Sequence, residues 1–228
     1  NDQKNIFLPT KHILKIGSAQ VKSCILLAAL NIKGTIQIVE EIPSRDHTEI
    51  MLKYLGANLS KQKNTISFTN PNFLKPKDIK IPGDFSSASF IIVAALLSKN
   101  SSVKIKDVGL NYFRIGLLDV LKKMKASIKV SNKKKINGEF VGDIEVKSSR
   151  LISTSVSKKI SPRLIDEYPI LFVAASFSEG VSEFRGLGEL KVKESNRLIS
   201  MAESLEASGV KLSLGSDSIK IFGQEKHH

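Results

Sequence analysis

The sequence contains no tryptophan, three tyrosines and a single cysteine. One cysteine, Cys24, excludes an internal disulfide framework and any metal site built from several thiolates. Because Cys24 lies beside the apolar residues Ile25, Leu26 and Leu27, we predict a buried structural thiol; a reactive thiol needs an accessible, electropositive setting. The scarcity of cysteine also favours a reducing compartment, the cytoplasm.

Long apolar runs are absent as well. The longest, residues 90–97, falls short of the roughly 18 residues that a membrane span requires, so we expect no membrane partner. The first five residues lack the apolar segment of a signal peptide. The sequence has no initiator methionine and closes on His227 and His228, which predicts a fragment of a longer protein.

Metal-ligating residues do not cluster in the sequence. The four histidines are scattered, at His12, His47 and the terminal pair His227 and His228. With one cysteine and no ligand spacing among the histidines, we expect neither a metal nor another cofactor.

Positive charge is abundant: the net charge is +13, from 35 lysines and arginines against 22 aspartates and glutamates. Nucleic acid is one class of partner for such a chain, but with no tryptophan and three tyrosines we expect no aromatic stacking platform for bases. The densest basic run, Lys133 to Lys135, stands beside Asn137-Gly138, a pair typical of a hairpin turn. Since a few cations suffice for a small anion, we expect small anionic substrates, with a basic nucleic-acid-binding module as a remote alternative.

The most informative feature is an internal repeat. In three segments, polar residues open an apolar helix that carries an Ala-Ala pair, and a turn then leads into an alternating strand. The helices are predicted at residues 21–30, 89–97 and 170–177, and the strands at 35–39, 103–108 and 181–185. Because each helix is apolar on nearly all sides, we expect it to be buried, with its N-terminus facing something polar.

Each segment continues with an amphipathic helix and paired short strands. Apolar residues recur at helical spacing in residues 45–54, 114–124 and 194–206, which predicts the second helices. With a short strand leading into it, such as residues 78–81 before the second copy, the unit is βαβαββ and about 70 residues long. The predicted fold class is therefore α/β (α+β), built from repeated units.

Proline and glycine mark a boundary between the first and second copies. Residues 70–77 are polar and contain two prolines, and residues 82–84 interrupt the chain again. We predict a first domain at 1–77 with one unit and a second at 78–228 with two. A single unit is small for a domain, so we expect it to expose a flank that packs against sister units.

A charged stretch at residues 191–197 reads Lys-Val-Lys-Glu-Ser-Asn-Arg and precedes an amphipathic helix. Glu194 is expected in the first turn and Ser195 as the helix cap. On spacing alone, a capped and solvated helix start is favoured over an anion site at the helix N-terminus, which is the functional alternative.

Five motifs, in order, resemble those of the enolpyruvyl transferases, and among them the EPSP synthases (3-phosphoshikimate 1-carboxyvinyltransferases). They are Ser-Ala-Gln-Val-Lys-Ser at 18–23, Pro-Ser-Arg-Asp-His-Thr-Glu at 43–49, Pro-Gly-Asp-Phe-Ser-Ser-Ala at 82–88, Asp-Glu-Tyr-Pro at 166–169 and Lys-Glu-Ser-Asn-Arg-Leu at 193–198. Each motif is short, but together they span most of the chain. The UDP-N-acetylglucosamine enolpyruvyl transferases share the fold and are the second candidate, because they are not expected to carry Ser-Arg-Asp-His-Thr-Glu.

The resemblance implies two domains of three βαβαββ units each, of which this chain supplies about three of six. It implies transfer of the enolpyruvyl group from phosphoenolpyruvate to the 5-hydroxyl of shikimate 3-phosphate, within the shikimate pathway of aromatic amino acid biosynthesis. Residues 1–77 are then the last unit of the shikimate-phosphate domain, and residues 78–228 are two units of the catalytic domain. The resemblance implies a cofactor-free cytoplasmic monomer, and we expect this chain alone to be inactive.

The resemblance also implies roles for single residues. Asp166 is implied to meet the 5-hydroxyl as a base or orienting group, Lys193 to lie at the junction of the two substrates, and Glu194 to take part in proton transfer to the methylene carbon. Arg197 is implied to bind phosphoenolpyruvate, since its planar fork suits a carboxylate or phosphate. The shikimate-phosphate side is implied to comprise Ser18, Ala19, Gln20, Ser44 and Arg45. The neighbouring charged residues Asp46, His47 and Glu49 are expected to be structural.

Three positions depart from the family pattern. Arginine is usual where the chain has Lys191, aspartate where it has Asn196, and glycine where it has Lys125. Lys191 keeps the charge without the guanidinium fork, and Asn196 removes a charge beside Arg197.

Overall fold

The computed structural model describes residues 10–70, 73–192 and 195–223, and it divides into two compact units. Unit 1 consists of Asn1–Ile81 with Lys135–Phe140, and unit 2 of Pro82–Lys134 with Val141–His228. Within the described ranges, none of the helices has the length and hydropathy needed to cross a membrane.

Unit 1 contains one complete βαβαββ unit. Its helices are α1 (Ala19–Ala28), which a 3-10 turn at Ala29–Asn31 extends, and α2 (His47–Tyr54). Its strands are β1 (Lys11–Leu14), β2 (Thr35–Glu40), β3 (Asn58–Gln62) and β4 (Thr65–Thr69). The sheet order is β1-β2-β4-β3, with β1 parallel to β2 and the other pairs antiparallel. Alternate residues of β2 and β4 form the core with residues of both helices: Leu26, Ile36, Ile38, Leu52, Ile66 and Phe68.

Unit 2 contains two further copies. The first comprises α3 (Phe85–Leu97), β5 (Ser102–Gly109), α4 (Gly116–Lys123), β6 (Ser127–Ile136) and β7 (Glu139–Lys147). The tip of the β6–β7 hairpin, residues 135–140, is the part assigned to unit 1. The second comprises β8 (Ser155–Val156), a 3-10 helix (Lys158–Arg163), α5 (Tyr168–Ser176), β9 (Val181–Arg185), a 3-10 helix (Gly188–Val192), α6 (Arg197–Ala207), β10 (Leu212–Leu214) and β11 (Ser218–Phe222). The sheets run β5-β7-β6 and β10-β11-β9-β8, and one continuous apolar core joins both copies.

Two expectations about element ends were wrong. The strand predicted at 78–81 does not form; instead Gly83 makes an isolated parallel bridge to Val108. The helix predicted to open at Glu194 with Ser195 as its cap begins at Arg197, and Asn196 caps it by accepting the Ile199 N–H at 3.2 Å. Asparagine and serine are both good caps, so composition alone could not separate adjacent candidates.

The prediction that the first helices are buried on nearly all sides was wrong for α1 and α3. On α1, Val21 and Leu27 are 49% and 47% exposed, and Cys24, predicted to be a buried thiol, is exposed on this helix too. On α3, Phe90 and Ile91 are 56% and 51% exposed. Apolar composition shows that a helix surface favours contact, but it does not show that the chain supplies the partner. Packing of sister units against the exposed face of α1 stays a prediction.

The three second helices end in the same way. The residue after the last turn adopts a positive φ in each copy: Gly56 (+92°), Lys125 (+67°) and Gly209 (+81°). The next residue donates its N–H to the carbonyl five residues earlier: Ala57 to Leu52, Ala126 to Leu121 and Val210 to Leu205. This is the Schellman motif, which satisfies helix carbonyls and favours glycine. Lys125, a departure noted in the sequence, therefore occupies a position that suits glycine in all three copies.

We expect Lys125→Gly to raise the free energy of unfolding by about 0.5–1 kcal/mol, because glycine adopts a positive φ without the Cβ clash that lysine meets. The matched control is Gly209→Ala, where an added Cβ meets no atom within 4 Å, so only the backbone conformation is altered. That substitution should lower the free energy of unfolding by about 1 kcal/mol. Urea unfolding measures both changes, and a Lys125→Gly variant less stable than the parent would contradict the assignment.

Candidate active site

A cleft of about 220 Å³ in unit 1 lies where α1 and α2 begin. It is lined by Ala19 and by five polar or charged residues: Gln20, Ser23, Arg45, His47 and Thr48. Three of the five residues predicted for the shikimate-phosphate side, Ala19, Gln20 and Arg45, thus share one cleft. An arginine beside the first turns of two helices is an arrangement that attracts an anion.

The other two predicted residues, Ser18 and Ser44, hold the backbone next to this cleft. Ser18 caps α1, and its Oγ accepts the N–H of Val21 at 3.3 Å. Ser44 is 5% exposed, and its Oγ donates to Glu40 Oε1 at 2.5 Å. A direct contact of either hydroxyl with a ligand stays a prediction.

Sequence reasoning missed part of the cleft wall. Ser23 and Thr48 join α1 to α2 through a hydroxyl–hydroxyl contact of 2.6 Å. His47, expected to be structural, also lines the cleft. A signal was present, because Ser23 and Thr48 both fall inside the motifs that carried the family resemblance. The contact between their hydroxyl groups depends on the packing of α1 beside α2, which the motifs alone do not show.

Asp166 in unit 2 lies between two guanidinium groups. Arg197 Nη1 is 3.3 Å from Asp166 Oδ1, and Arg114 Nη1 contacts Asp166 Oδ2. Asp166 stands in the turn before α5, Arg197 is the first residue of α6, and Arg114 precedes α4. The structure therefore brings together two of the residues predicted for the catalytic side and adds a third, Arg114, that was not predicted.

Arg114 is the centre of a larger hydrogen-bonded group. Its Nη2 donates to Ser86 Oγ, and Ser86 Oγ in turn donates to Glu167 Oε1. Nη2 also lies 3.9 Å from Asp84 Oδ1. The side chains of Arg114 and Glu167 are 14% and 1% exposed, so these charges are paired largely out of solvent.

Asp84 fixes the start of α3 beside this group. Its Oδ2 accepts the N–H of Ser87 at 2.7 Å and the Ser87 hydroxyl at 2.9 Å. Burial raises the pKa of the Asp84 carboxyl, but these hydrogen bonds and the charge of Arg114 outweigh burial and hold the pKa below its ordinary value. Asp84 is therefore a stable anion at the N-terminus of α3, where the helix dipole also favours negative charge.

Arg114 carried a signal in the sequence that went unused. It is the only charged residue between Asp107 and Asp119, within an otherwise uncharged stretch. An isolated cation in such a stretch is seldom fully buried unless a carboxylate pairs with it. The pattern could have predicted a buried arginine, but its partner Asp166 lies 52 positions away and follows from the fold alone.

The charged stretch at residues 191–197 is described only in part. Lys193 and Glu194, both predicted to be catalytic, lie outside the described residues. Lys191 lies in the 3-10 helix before α6, and its Nζ donates to the carbonyl of Ser216. The change to Asn196 keeps the helix cap, since asparagine and aspartate cap about equally well.

The arrangement around Asp166 suits a carboxylate that accepts a proton or a hydrogen bond. Two guanidinium groups fix both of its oxygens, and about a quarter of the side chain (26%) remains exposed to a ligand. A carboxylate oriented in this way can align a hydroxyl group and take its proton. Within the described ranges, no group of three or more His, Cys, Asp or Glu side chains could hold a metal ion.

The profile of one protein family, EPSP synthase (3-phosphoshikimate 1-carboxyvinyltransferase), matches residues 9–228. The chain is 46% identical over 220 residues to the 3-phosphoshikimate 1-carboxyvinyltransferase of Zymomonas mobilis subsp. mobilis. The aligned region covers 95% of this chain and 49% of that protein. The chain is 46% identical over 217 residues to the protein of that name from Thermosynechococcus vestitus, with 94% and 49% covered. The chain thus spans about half the length of the curated relatives it matches.

Solved structures show the same extent of similarity. An EPSP synthase from Acinetobacter baumannii superposes with a TM-score of 0.88 at 38% identity, covering 96% of this chain and 49% of that one. The enolpyruvyl transferase NikO from Streptomyces tendae has a TM-score of 0.69 at 16% identity, covering 94% and 51%. The second similarity concerns the fold alone. Together they confirm the predicted fold class, repeated βαβαββ units as in the enolpyruvyl transferases.

Arg114→Met should lower the free energy of unfolding by about 3 kcal/mol. It removes the guanidinium group beside the buried Glu167 and one of the two that contact Asp166. The matched control is Arg150→Met, since Arg150 also pairs with a carboxylate, at 3.3 Å, but is 75% exposed. Exposed pairs contribute about 0–1 kcal/mol, so the control should change little. Urea unfolding of both variants makes the comparison, and equal effects would show that Arg114 is not the centre of the group.

Proposed function

Since the chain belongs to the EPSP synthase family, we propose that it forms part of an enzyme that transfers the enolpyruvyl group of phosphoenolpyruvate to the 5-hydroxyl of shikimate 3-phosphate. The observation that carries the proposal is the contact of Arg197 with Asp166. These residues come from two separate sequence motifs, and the resemblance implies a site role for each independently of their contact. A chance pair of surface charges does not explain why both fall in family motifs.

In the proposed reaction, Asp166 orients the 5-hydroxyl and accepts its proton as the oxygen attacks C2 of phosphoenolpyruvate. A new C–O bond forms, and the methylene carbon takes up a proton from an acid, the role proposed for Glu194. The tetrahedral adduct then loses a proton from its new methyl group to the carboxylate that supplied one, the role proposed for Glu194. As the carbon–carbon double bond re-forms, the C–O bond to the phosphate group breaks and phosphate leaves. Arg197 and Lys193 are proposed to hold the anionic groups of phosphoenolpyruvate, where the charge of the transition state develops.

The cleft of unit 1 is proposed to hold shikimate 3-phosphate. Arg45 supplies a fixed positive charge and a planar set of donors for the phosphate, and Gln20 lies exposed on the first turn of α1 for the ring hydroxyls. The N-terminus of α1 adds the positive end of the helix dipole. No residue in the first turn of α1 is acidic, so no side chain there offsets this positive potential.

Arg45→Ala should raise the Kd for shikimate 3-phosphate at least about tenfold, since it removes charge-assisted hydrogen bonds to the phosphate. Arg150→Ala removes a guanidinium group of the same charge from unit 2, far along the chain, and should leave the Kd unchanged. Isothermal titration calorimetry with the 228-residue chain measures both variants. Equal Kd values for the parent chain and Arg45→Ala would contradict the proposed cleft.

The chain alone is expected to release no phosphate from phosphoenolpyruvate and shikimate 3-phosphate, because it spans about half the length of its relatives. Placing residues 9–228 into the Zymomonas mobilis protein, in place of the matching region, should give a chimera that releases phosphate. A colorimetric phosphate assay follows the reaction. A chimera that is inactive with shikimate 3-phosphate but active with UDP-N-acetylglucosamine would assign the chain to the other branch of the enolpyruvyl transferases.

A further inference from the structure

Unit 1 contains a buried group of charges that the proposed reaction does not use. Lys22 Nζ lies 2.6 Å from Glu49 Oε1 and 3.1 Å from Glu40 Oε1. The three side chains are 0%, 6% and 1% exposed, in the order Lys22, Glu49, Glu40. We call these residues the Lys22 cluster. Lys61 adds a partly exposed ammonium group 3.7 Å from Glu40 Oε2.

The Lys22 cluster is costly to bury. Removing a lysine and two carboxylates from water costs several kcal/mol for each ion. The attraction between the ions offsets this desolvation penalty only when their geometry is good. Burial raises the pKa of Glu49 despite the opposing hydrogen bond and charge of Lys22. Apolar residues of similar volume usually stabilise a core as well or better. Stability alone therefore does not explain the cluster.

The cluster makes directional bonds to one short segment of backbone. Glu40 Oε1 accepts both the N–H of Ser44, at 3.1 Å, and its hydroxyl, at 2.5 Å. Lys22 Nζ donates to the Ser44 carbonyl at 3.3 Å. The N–H, the hydroxyl and the carbonyl of one residue are thus all bound by the same buried charges, and that residue directly precedes Arg45.

The cluster also connects the two helices that border the cleft. Lys22 is in the first half of α1, two positions after Gln20, and Glu49 is in the first turn of α2, one position after Thr48. Their 2.6 Å contact therefore fixes α1 relative to α2 close to the residues that line the cleft.

We propose that Lys22, Glu40 and Glu49 are positioning residues that hold the Ser44–Arg45 segment so that the Arg45 guanidinium group faces a phosphorylated ligand in the cleft. The proposal depends on the proposed function only for the identity of that ligand, shikimate 3-phosphate. Apolar packing could fill the same volume, but it could not fix the direction of a backbone segment through three hydrogen bonds. A misplacement of about 1 Å is enough to lose most of the benefit of an oriented group.

The test replaces the Lys22–Glu49 ion pair with apolar residues of similar size in the double variant Lys22→Met/Glu49→Leu. Both members of this ion pair are removed together, and Glu40, the third member of the Lys22 cluster, keeps the Lys61 ammonium group 3.7 Å from its Oε2. The matched control is Arg150→Met/Glu179→Leu, an exposed ion pair of 3.3 Å in unit 2. Thermal unfolding first verifies that both variants remain folded.

Hydrogen exchange followed by NMR gives a readout that needs no ligand. In the double variant, the Ser44 amide should exchange at least about tenfold faster, while the amides of Ile36 and Ile38 in the β2 core keep their protection. The control variant should leave all three amides unchanged. An unchanged Ser44 amide in the folded double variant overturns the proposal. If the double variant does not fold, Glu40→Gln is measured instead, because it replaces the charged acceptor of the Ser44 N–H with a weaker, neutral one. Hydrogen exchange of the Ser44 amide must then be faster than in the parent chain, or the proposal fails.

Binding of shikimate 3-phosphate gives the second readout. The double variant should raise the Kd about tenfold or more, and adding Arg45→Ala to it should cause little further loss, because both changes remove the same oriented guanidinium contact. Additive losses, or an unchanged Kd in the double variant, contradict a positioning role. If the parent chain does not bind shikimate 3-phosphate while the Ser44 amide still responds, the proposed function fails and the positioning role stands.

Discussion

The contact of one carboxylate with two guanidinium groups organises the candidate chemistry of unit 2. Arg114 belongs to the first repeat of the unit, and Asp166 and Arg197 belong to the second, so neither repeat alone could build the group. The core that joins the repeats places the turns before α4 and α5 and the start of α6 at one location. A charged group that is costly to bury alone is stabilised by its partners in the set, and Asp166 remains partly exposed.

Unit 1 follows the same principle with different residues. The Lys22 cluster is buried beside the cleft, and it binds the segment that carries Arg45. In both units a residue proposed to face the ligand is held by neighbouring charges, by Arg114 and Arg197 in unit 2 and by the Lys22 cluster in unit 1. The repeated βαβαββ unit allows this orientation, because it brings the beginnings of its two helices together. The repeats also share the end of the second helix, a Schellman turn at Gly56, Lys125 and Gly209.

Much of the architecture followed from the sequence, because helix and strand periodicity is local. The repeats, the strand at 181–185 and the family itself were predicted, and the family profile over residues 9–228 confirms the last. What failed depended on tertiary structure. Cys24 is exposed because nothing in the described chain covers its face of α1, and Arg114 was missed because its partner is remote in sequence. Helix ends shifted by a few residues where adjacent polar residues compete for the cap.

Replacing the carboxylate of Asp166 distinguishes a proton-accepting role from a purely structural one. In a chimera that carries residues 9–228 within a full-length relative, Asp166→Asn keeps the size of the side chain but removes its capacity to accept a proton. If Asp166 accepts the proton, kcat falls about 100-fold or more while the Kd for shikimate 3-phosphate stays within about twofold of the parent value. A kcat equal to that of the parent chimera would show that the carboxylate between Arg114 and Arg197 only holds the fold together.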